Sequence, residues 1–226
     1  ILFGGLGYTG DVYGEHVPFN SVFLMEPQGL TDYQYDKRYL VPMVERVPLA
    51  PESWLRGLRY FGKFGVGTGW PLARVDEAAF GALVCYESTY PAASRRFRLE
   101  GGDALVNVTN DAWYGREPWY SRSTALWQHP AHMVMRAIEN RMGVARAANT
   151  GISLFVDPVG RVYNSTPLFE ADVRSEMVYT TDVLTFYTRF GDLVGNGSAV
   201  AALSLVLAAS GLRRRFPSLD PTAARN

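Results

Sequence analysis

Residues 80–109 read FGALVCYESTYPAASRRFRLEGGDALVNVT. Phe80–Tyr86 is a short apolar run of the kind buried on both faces of a sheet. Pro91 opens a helix that runs to about Leu99, and Gly101-Gly102 ends it. Asp103–Thr109 is a second buried run. Strand, helix and strand in sequence predict a parallel crossover, and hence an α/β layered fold. Outward from this unit the pattern continues. Ser123–Arg141 has helical periodicity around Pro130, and Val144–Ala148 and Ile152–Asp157 read as strands. Asp157–Gly160 is a turn, and Glu176–Asp182 reads as a last strand. On the N-terminal side, 1–8 and 20–26 are expected to pair as strands across a loop from Thr9 to Asn20. Residues 28–50, rich in Tyr, Pro and charge, are expected to form an ordered loop that carries function, and Pro51–Phe61 a helix.

The 226 residues suit one sizeable α/β domain or two small ones. Lys+Arg 22 balance Asp+Glu 22, which argues against a nucleic-acid partner held by a basic surface. The single cysteine, Cys85, excludes an internal disulfide and a multi-cysteine zinc site. His129 and His132 have i, i+3 spacing but no third ligand in view, so a packed or loop-anchoring role is the better reading. The chain opens directly on the apolar Ile1–Leu6 with no charged leader, and is expected to be a C-terminal fragment. Leu193–Leu212 is 20 residues without a charge, followed by Arg213-Arg214-Arg215. That length spans about 30 Å as a helix, which favours a transmembrane segment over an Ala-rich helix packed on the domain. Positive charge stays cytoplasmic, so 213–226 would be a basic cytoplasmic tail and 1–190 a catalytic domain on the periplasmic side.

Three segments carry chemistry. Cys85 stands at the end of an apolar strand, where open α/β sheets place their sites, with Tyr86 and Glu87 following. A carboxylate two residues on shares the face of the thiol if the strand continues. In 35–48, YDKRYLVPMVERVP, two rigid Val-Pro dipeptides flank Glu45 and hold it in fixed geometry with Lys37. A lysine near a thiol lowers the thiol pKa and stabilises an oxyanion. In 107–115, NVTNDAWYG, a buried strand runs into an aromatic loop, which makes Asn110, Trp113 and Tyr114 candidates for a pocket or lid. Trp119, Tyr120 and these neighbours are equally suited to a core and to a lipid interface.

Together these segments resemble the carbon–nitrogen hydrolase (nitrilase) superfamily, and more narrowly its apolipoprotein N-acyltransferase branch. WQH at 127–129, MRAIE at 135–139, RAANTGIS at 146–153 and DPVGR at 157–161 extend the resemblance over nearly the whole chain. It implies a four-layer α-β-β-α sandwich, no metal or cofactor, and a catalytic set of Glu, Lys and Cys. Carried over, Cys85 is the nucleophile, Lys37 steadies the oxyanion, and Glu45 is the supporting glutamate. Glu87 and Tyr86 would shape the pocket around the thiol. The general-base glutamate matches no residue of this chain. Neither Glu15 nor Glu26 sits in the corresponding motif. Val44 stands where the family usually has Gly. The implied reaction takes an acyl chain from a phospholipid donor onto Cys85 and passes it to the N-terminal amine of a lipoprotein at the bacterial inner membrane. A soluble amidase using the same residues, with water as acceptor, is the alternative, and such an enzyme has no use for 193–212.

Overall fold

A computed structural model describes residues 1–9, 16–47 and 64–215, with side chains to 210. The expected helix 51–61, Pro48 and Glu15 fall outside the described residues. Two compact units are present, Ile1–Thr188 and Arg189–Asn226.

The first unit holds two sheets. β1 (Leu2–Thr9), β2 (Val17–Glu26) and β3 (Gly29–Asp36) form an antiparallel sheet in that order. β1 and β2 pair from Leu2↔Leu24 to Thr9↔Val17, so strand structure reaches into the expected loop. β3 corrects a second expectation. Within the supposed loop, Thr31, Tyr33 and Tyr35 alternate with the exposed Asp32 and Gln34. This is the period-2 pattern of a half-buried strand, with strand-favouring residues on its inner face.

The second sheet has the order β4 (Ala73–Val75), β5 (Ala78–Val84), β6 (Ala104–Asn110), β7 (Gly143–Asn149), β8 (Leu154–Val156), β9 (Val162–Tyr163). β5, β6 and β7 are parallel, and the outer pairs are antiparallel. The crossovers are α1 (Pro91–Leu99) and α2 (Ala125–Asn140), the second continuing through Pro130. Alternation along the central strands sorts the sheet's two faces. Gly4 of β1 lies so near β6 that a Cβ there would meet Val108 Cγ2 at 3.5 Å, so Val108 faces the smaller sheet. The opposite face carries Gly81, where an added Cβ would fall 2.5 Å from Phe97 of α1. Leu105 and Val144, paired in register, share that helix-covered face, and both are fully buried. The described residues therefore form two sheets and one helical layer of the expected four-layer sandwich.

Glu176–Asp182 forms no strand, contrary to expectation. Side chains take its carbonyls instead. The Tyr163 hydroxyl donates to Met177 O at 2.6 Å, and Arg98 donates to Thr181 O. After a short α3 (Phe186–Phe190), the second unit is dominated by α4 (Leu193–Arg215). Asp192 caps α4, accepting from Gly195 N–H at 2.8 Å. Leu193–Ser210 is long and apolar enough to cross a membrane, with mean hydropathy 1.7 and none of it buried. Ser204 and Ser210 donate to carbonyls four residues back at 2.8 Å, so their hydroxyls need no outside partner. Arg213–Arg215 continue this helix.

Candidate active site

Cys85 occupies a sharp turn between β5 and α1. The strand ends at Val84, and Cys85–Thr89 wind into a 3₁₀ turn. The expectation that Glu87 shares a strand face with the thiol is therefore corrected. Cys85 itself has φ +51°, a left-handed conformation that costs a non-glycine residue on the order of 1–3 kcal/mol. Such strain persists only where the surroundings enforce it.

Glu87 supplies the enforcement from one side. It is fully buried, and its carboxylate accepts four hydrogen bonds. Oε2 takes Val84 N–H at 2.8 Å. Oε1 takes the Tyr35 hydroxyl at 2.8 Å, Arg38 N–H at 2.7 Å and Tyr39 N–H at 3.1 Å. Burial pushes this carboxyl above its usual range, against the pull of the four donors. One side chain thus ties the cysteine turn to the main chain that follows Lys37 and to the Tyr35 hydroxyl that precedes it. Tyr86 packs edge-on to Tyr90 at 5.6 Å, and Tyr90 stacks on Tyr39 at 4.4 Å, which reinforces the same junction.

Lys37 leaves the end of β3 and is 1% exposed. Its ammonium lies 2.9 Å from Glu45 Oε1 and 2.8 Å from Oε2. Glu45 also accepts from Val41 N–H at 2.6 Å and from the Asn20 amide. The sequence thus places Lys37 and Glu45 together as expected. Lys37 is further held by main-chain bonds from its N–H to Asn20 O at 2.8 Å and from Gly67 N–H to its carbonyl at 2.9 Å. The turn before Glu45 needs a left-handed residue, but it is Met43, at φ +65°, and not Val44.

Of the proposed lid residues, Asn110 accepts from Ala112 N–H at 3.1 Å and caps the turn Asp111–Tyr114. Trp113 is 73% exposed. Tyr114 packs edge-on to His129 at 5.2 Å. Burial, then the nearby Cys85, push its phenol up to about 12. A cleft of about 500 Å³ opens beside this loop, lined by Ala112, Arg116, Asn149 and Phe169 among others.

The structure adds a buried group that the sequence reading passed over. Asp111 is fully buried, with Oδ1 2.8 Å from His129 Nδ1 and Oδ2 accepting from Arg146 Nη2 at 2.6 Å. Arg146 also donates to Asn107, its cross-strand neighbour, and to Ile152 O at 3.1 Å. His129 Nε2 meets the Cys85 carbonyl at 3.1 Å. A signal for this group was available, since an arginine in the apolar strand GVARAAN demands a buried partner.

Burial pushes the Asp111 carboxyl up, but the His129 hydrogen bond and the Arg146 charge outweigh it and hold the group below its usual 3.8. A depressed folded pKa gives stability that is full above the unfolded value and is lost as pH falls through the folded one. Denaturant unfolding between pH 6 and pH 2.5 should therefore show an acid-side loss in the parent protein, beginning near pH 4. Asp111→Asn should flatten that part of the profile. An unchanged slope in the variant would remove Asp111 as its source.

The carbon–nitrogen hydrolase family model matches residues 1–182. This chain belongs to the carbon–nitrogen hydrolase family. It is 38% identical over 204 residues to the apolipoprotein N-acyltransferase of Geobacter metallireducens, covering 84% of this chain and 37% of that protein. With the apolipoprotein N-acyltransferase of Chlorobaculum tepidum the identity is 36%, over 80% of this chain and 34% of the relative. The chain therefore spans about a third of the length of these relatives. Among solved structures, the amidase of Nesterenkonia sp. AN1 superposes with a TM-score of 0.53 at 18% identity, over 74% of this chain and 58% of the amidase. That likeness establishes the shared nitrilase-type α/β fold.

Proposed function

We propose that this hydrolase-family domain is an N-acyltransferase that carries an acyl chain as a thioester on Cys85. The donor is a phospholipid, and the acceptor is the N-terminal amine of a lipoprotein's diacylglyceryl-cysteine. The observation that carries the reading is 38% identity to an apolipoprotein N-acyltransferase across 84% of the chain. The strained Cys85 turn, tied through Glu87 to the main chain that follows the buried Lys37, supports it, as does the Lys37–Glu45 pair. In the first half-reaction the Cys85 thiolate attacks the donor ester. A C–S bond forms, the C–O bond breaks, and the lysophospholipid leaves with a proton. In the second, the lipoprotein amine attacks the thioester. The C–N bond forms, the C–S bond breaks, and the amine's proton returns to sulfur. Splitting one hard transfer into two steps is the gain of covalent catalysis. Lys37 is assigned to the oxyanion of each tetrahedral intermediate, with Glu45 holding its ammonium in place. The general base is assigned to none of the described residues.

The apolar length of α4 supports membrane anchoring, and Arg213–Arg215 at its end favour a cytoplasmic C-terminus with the first unit on the periplasmic side. Trp113, Trp119, Tyr120 and Trp127, between 51% and 77% exposed, suit the amphipathic zone of a bilayer.

The test is direct. Membranes containing the protein, given a phospholipid with an isotopically labelled acyl chain, should yield one acyl adduct on the Cys85 peptide by mass spectrometry. A lipopeptide with a free α-amine should discharge it as an amide. An adduct that survives Cys85→Ala would remove the assignment. Amide hydrolysis with no lipid adduct would replace the reading with that of an amidase.

A further inference from the structure

Glu87 holds the strained cysteine turn from its N-terminal side, at Val84 N–H. The other side is held by a residue from a different element. We infer that His129 of α2 is a positioning residue for the nucleophile: its Nε2–H fixes the Cys85 carbonyl, and the Asp111–Arg146 pair fixes the ring. The inference rests on Cys85 being the nucleophile of the proposed reaction.

The hydrogen-bonding logic leaves one assignment for Nε2. A carbonyl oxygen can only accept, so Nε2, 3.1 Å from Cys85 O, must carry the proton. The other nitrogen, Nδ1, stands 2.8 Å from Asp111 Oδ1 and 3.1 Å from Arg146 Nη2. It donates to the first when the ring is cationic and accepts from the second when it is neutral. In either state Nε2–H remains a donor to Cys85. The ring has little room to turn, because it is 3% exposed and lies edge-on to Tyr114 at 5.2 Å. Asp111 is itself pinned by Thr109 Oγ1 at 3.0 Å, and Arg146 by Asn107 and Ile152 O. A rigid path of hydrogen bonds therefore runs from β6 and β7 to the carbonyl of one left-handed residue. If that carbonyl is released, the left-handed turn loses one of its two described restraints and the thiol can be aimed elsewhere.

Two amide replacements separate positioning from space-filling. His129→Gln carries an amide donor near the position of Nε2, whereas His129→Asn carries it near Nδ1, short of Cys85. The probe is iodoacetamide, with the rate of Cys85 alkylation followed in the whole protein in detergent, and acyl-thioester formation measured in parallel. His129→Gln should stay within a few fold of the parent. His129→Asn should lose about 10²-fold in kcat for the acyl step with KM little changed, the cost of a displaced reacting group, and should also slow alkylation. The inference is overturned if the Asn variant is alkylated at the parental rate, if both amides slow the thiol equally, or if His129→Gln fails to fold. Should the parent form no acyl-thioester at all, the proposed function fails, and the alkylation comparison still decides the role of His129.

Discussion

Replacing Lys37 with Met should abolish acyl transfer, by 10³-fold or more, while the protein loses about 3–5 kcal/mol of stability. Both effects come from one geometry. The ammonium is 1% exposed and contacts both oxygens of Glu45 at 2.9 and 2.8 Å. Removing it leaves a buried carboxylate with only the Val41 N–H and the Asn20 amide as described donors. An uncompensated buried charge is among the few single changes that cost several kcal/mol. The double variant Lys37→Met/Glu45→Gln removes both charges and should recover much of the stability. It should recover none of the activity, since the oxyanion still lacks its cation. Thermal unfolding and single-turnover thioester formation, measured on all three proteins, separate the two losses. Thioester formation at the parental rate in Lys37→Met would take Lys37 out of the catalytic set.

Glu87→Ala should be comparably severe for a different reason. Four donors converge on that carboxylate, and three of them are main-chain N–H groups of Val84, Arg38 and Tyr39. Each buried donor left without a partner costs about 1–3 kcal/mol, so the sum is comparable to a domain's whole stability. The cysteine turn also loses its N-terminal clamp, so any protein that folds should carry a misdirected thiol. Glu87→Gln is the informative control. Its carbonyl oxygen can keep the three donors on one side, while its NH₂ meets Val84 N–H, donor against donor. The Gln variant should therefore fold better than Ala yet remain slow in Cys85 alkylation. Equal unfolding temperatures for parent and Glu87→Ala would contradict the clamp.

The candidate site was legible in order along the chain, because each of its proposed residues sits in a local pattern. Cys85 follows a continuous apolar run, and strands buried on both faces announce themselves by composition alone. Lys37 and Glu45 are eight residues apart, close enough for a rigid Val41-Pro42 segment to bring them together. α1, α2 and the parallel strands between them follow from periodicity and from Pro and Gly at the helix ends. Where local signals were weak, the reading failed. β3 was hidden because its inner face is Thr and Tyr rather than aliphatic. Glu176–Asp182 was overvalued because β-propensity marks extended chain, and only available neighbours make it a strand.

Residue types and their spacing were enough to predict the layered α/β class, a candidate thiol, a lysine–glutamate pair and an apolar helix near the end of the sequence. Tertiary structure alone decided how the thiol is held. Glu87 reaches residues 48 to 52 positions away, and Asp111, His129 and Arg146 meet across 17 to 35 positions. Nothing in a linear pattern encodes such pairings, because they arise from strand register and from where α2 crosses the sheet. The strain at Cys85 is likewise a property of the packed state: the bonds that compel a left-handed cysteine come from β3, α2 and its own turn at once.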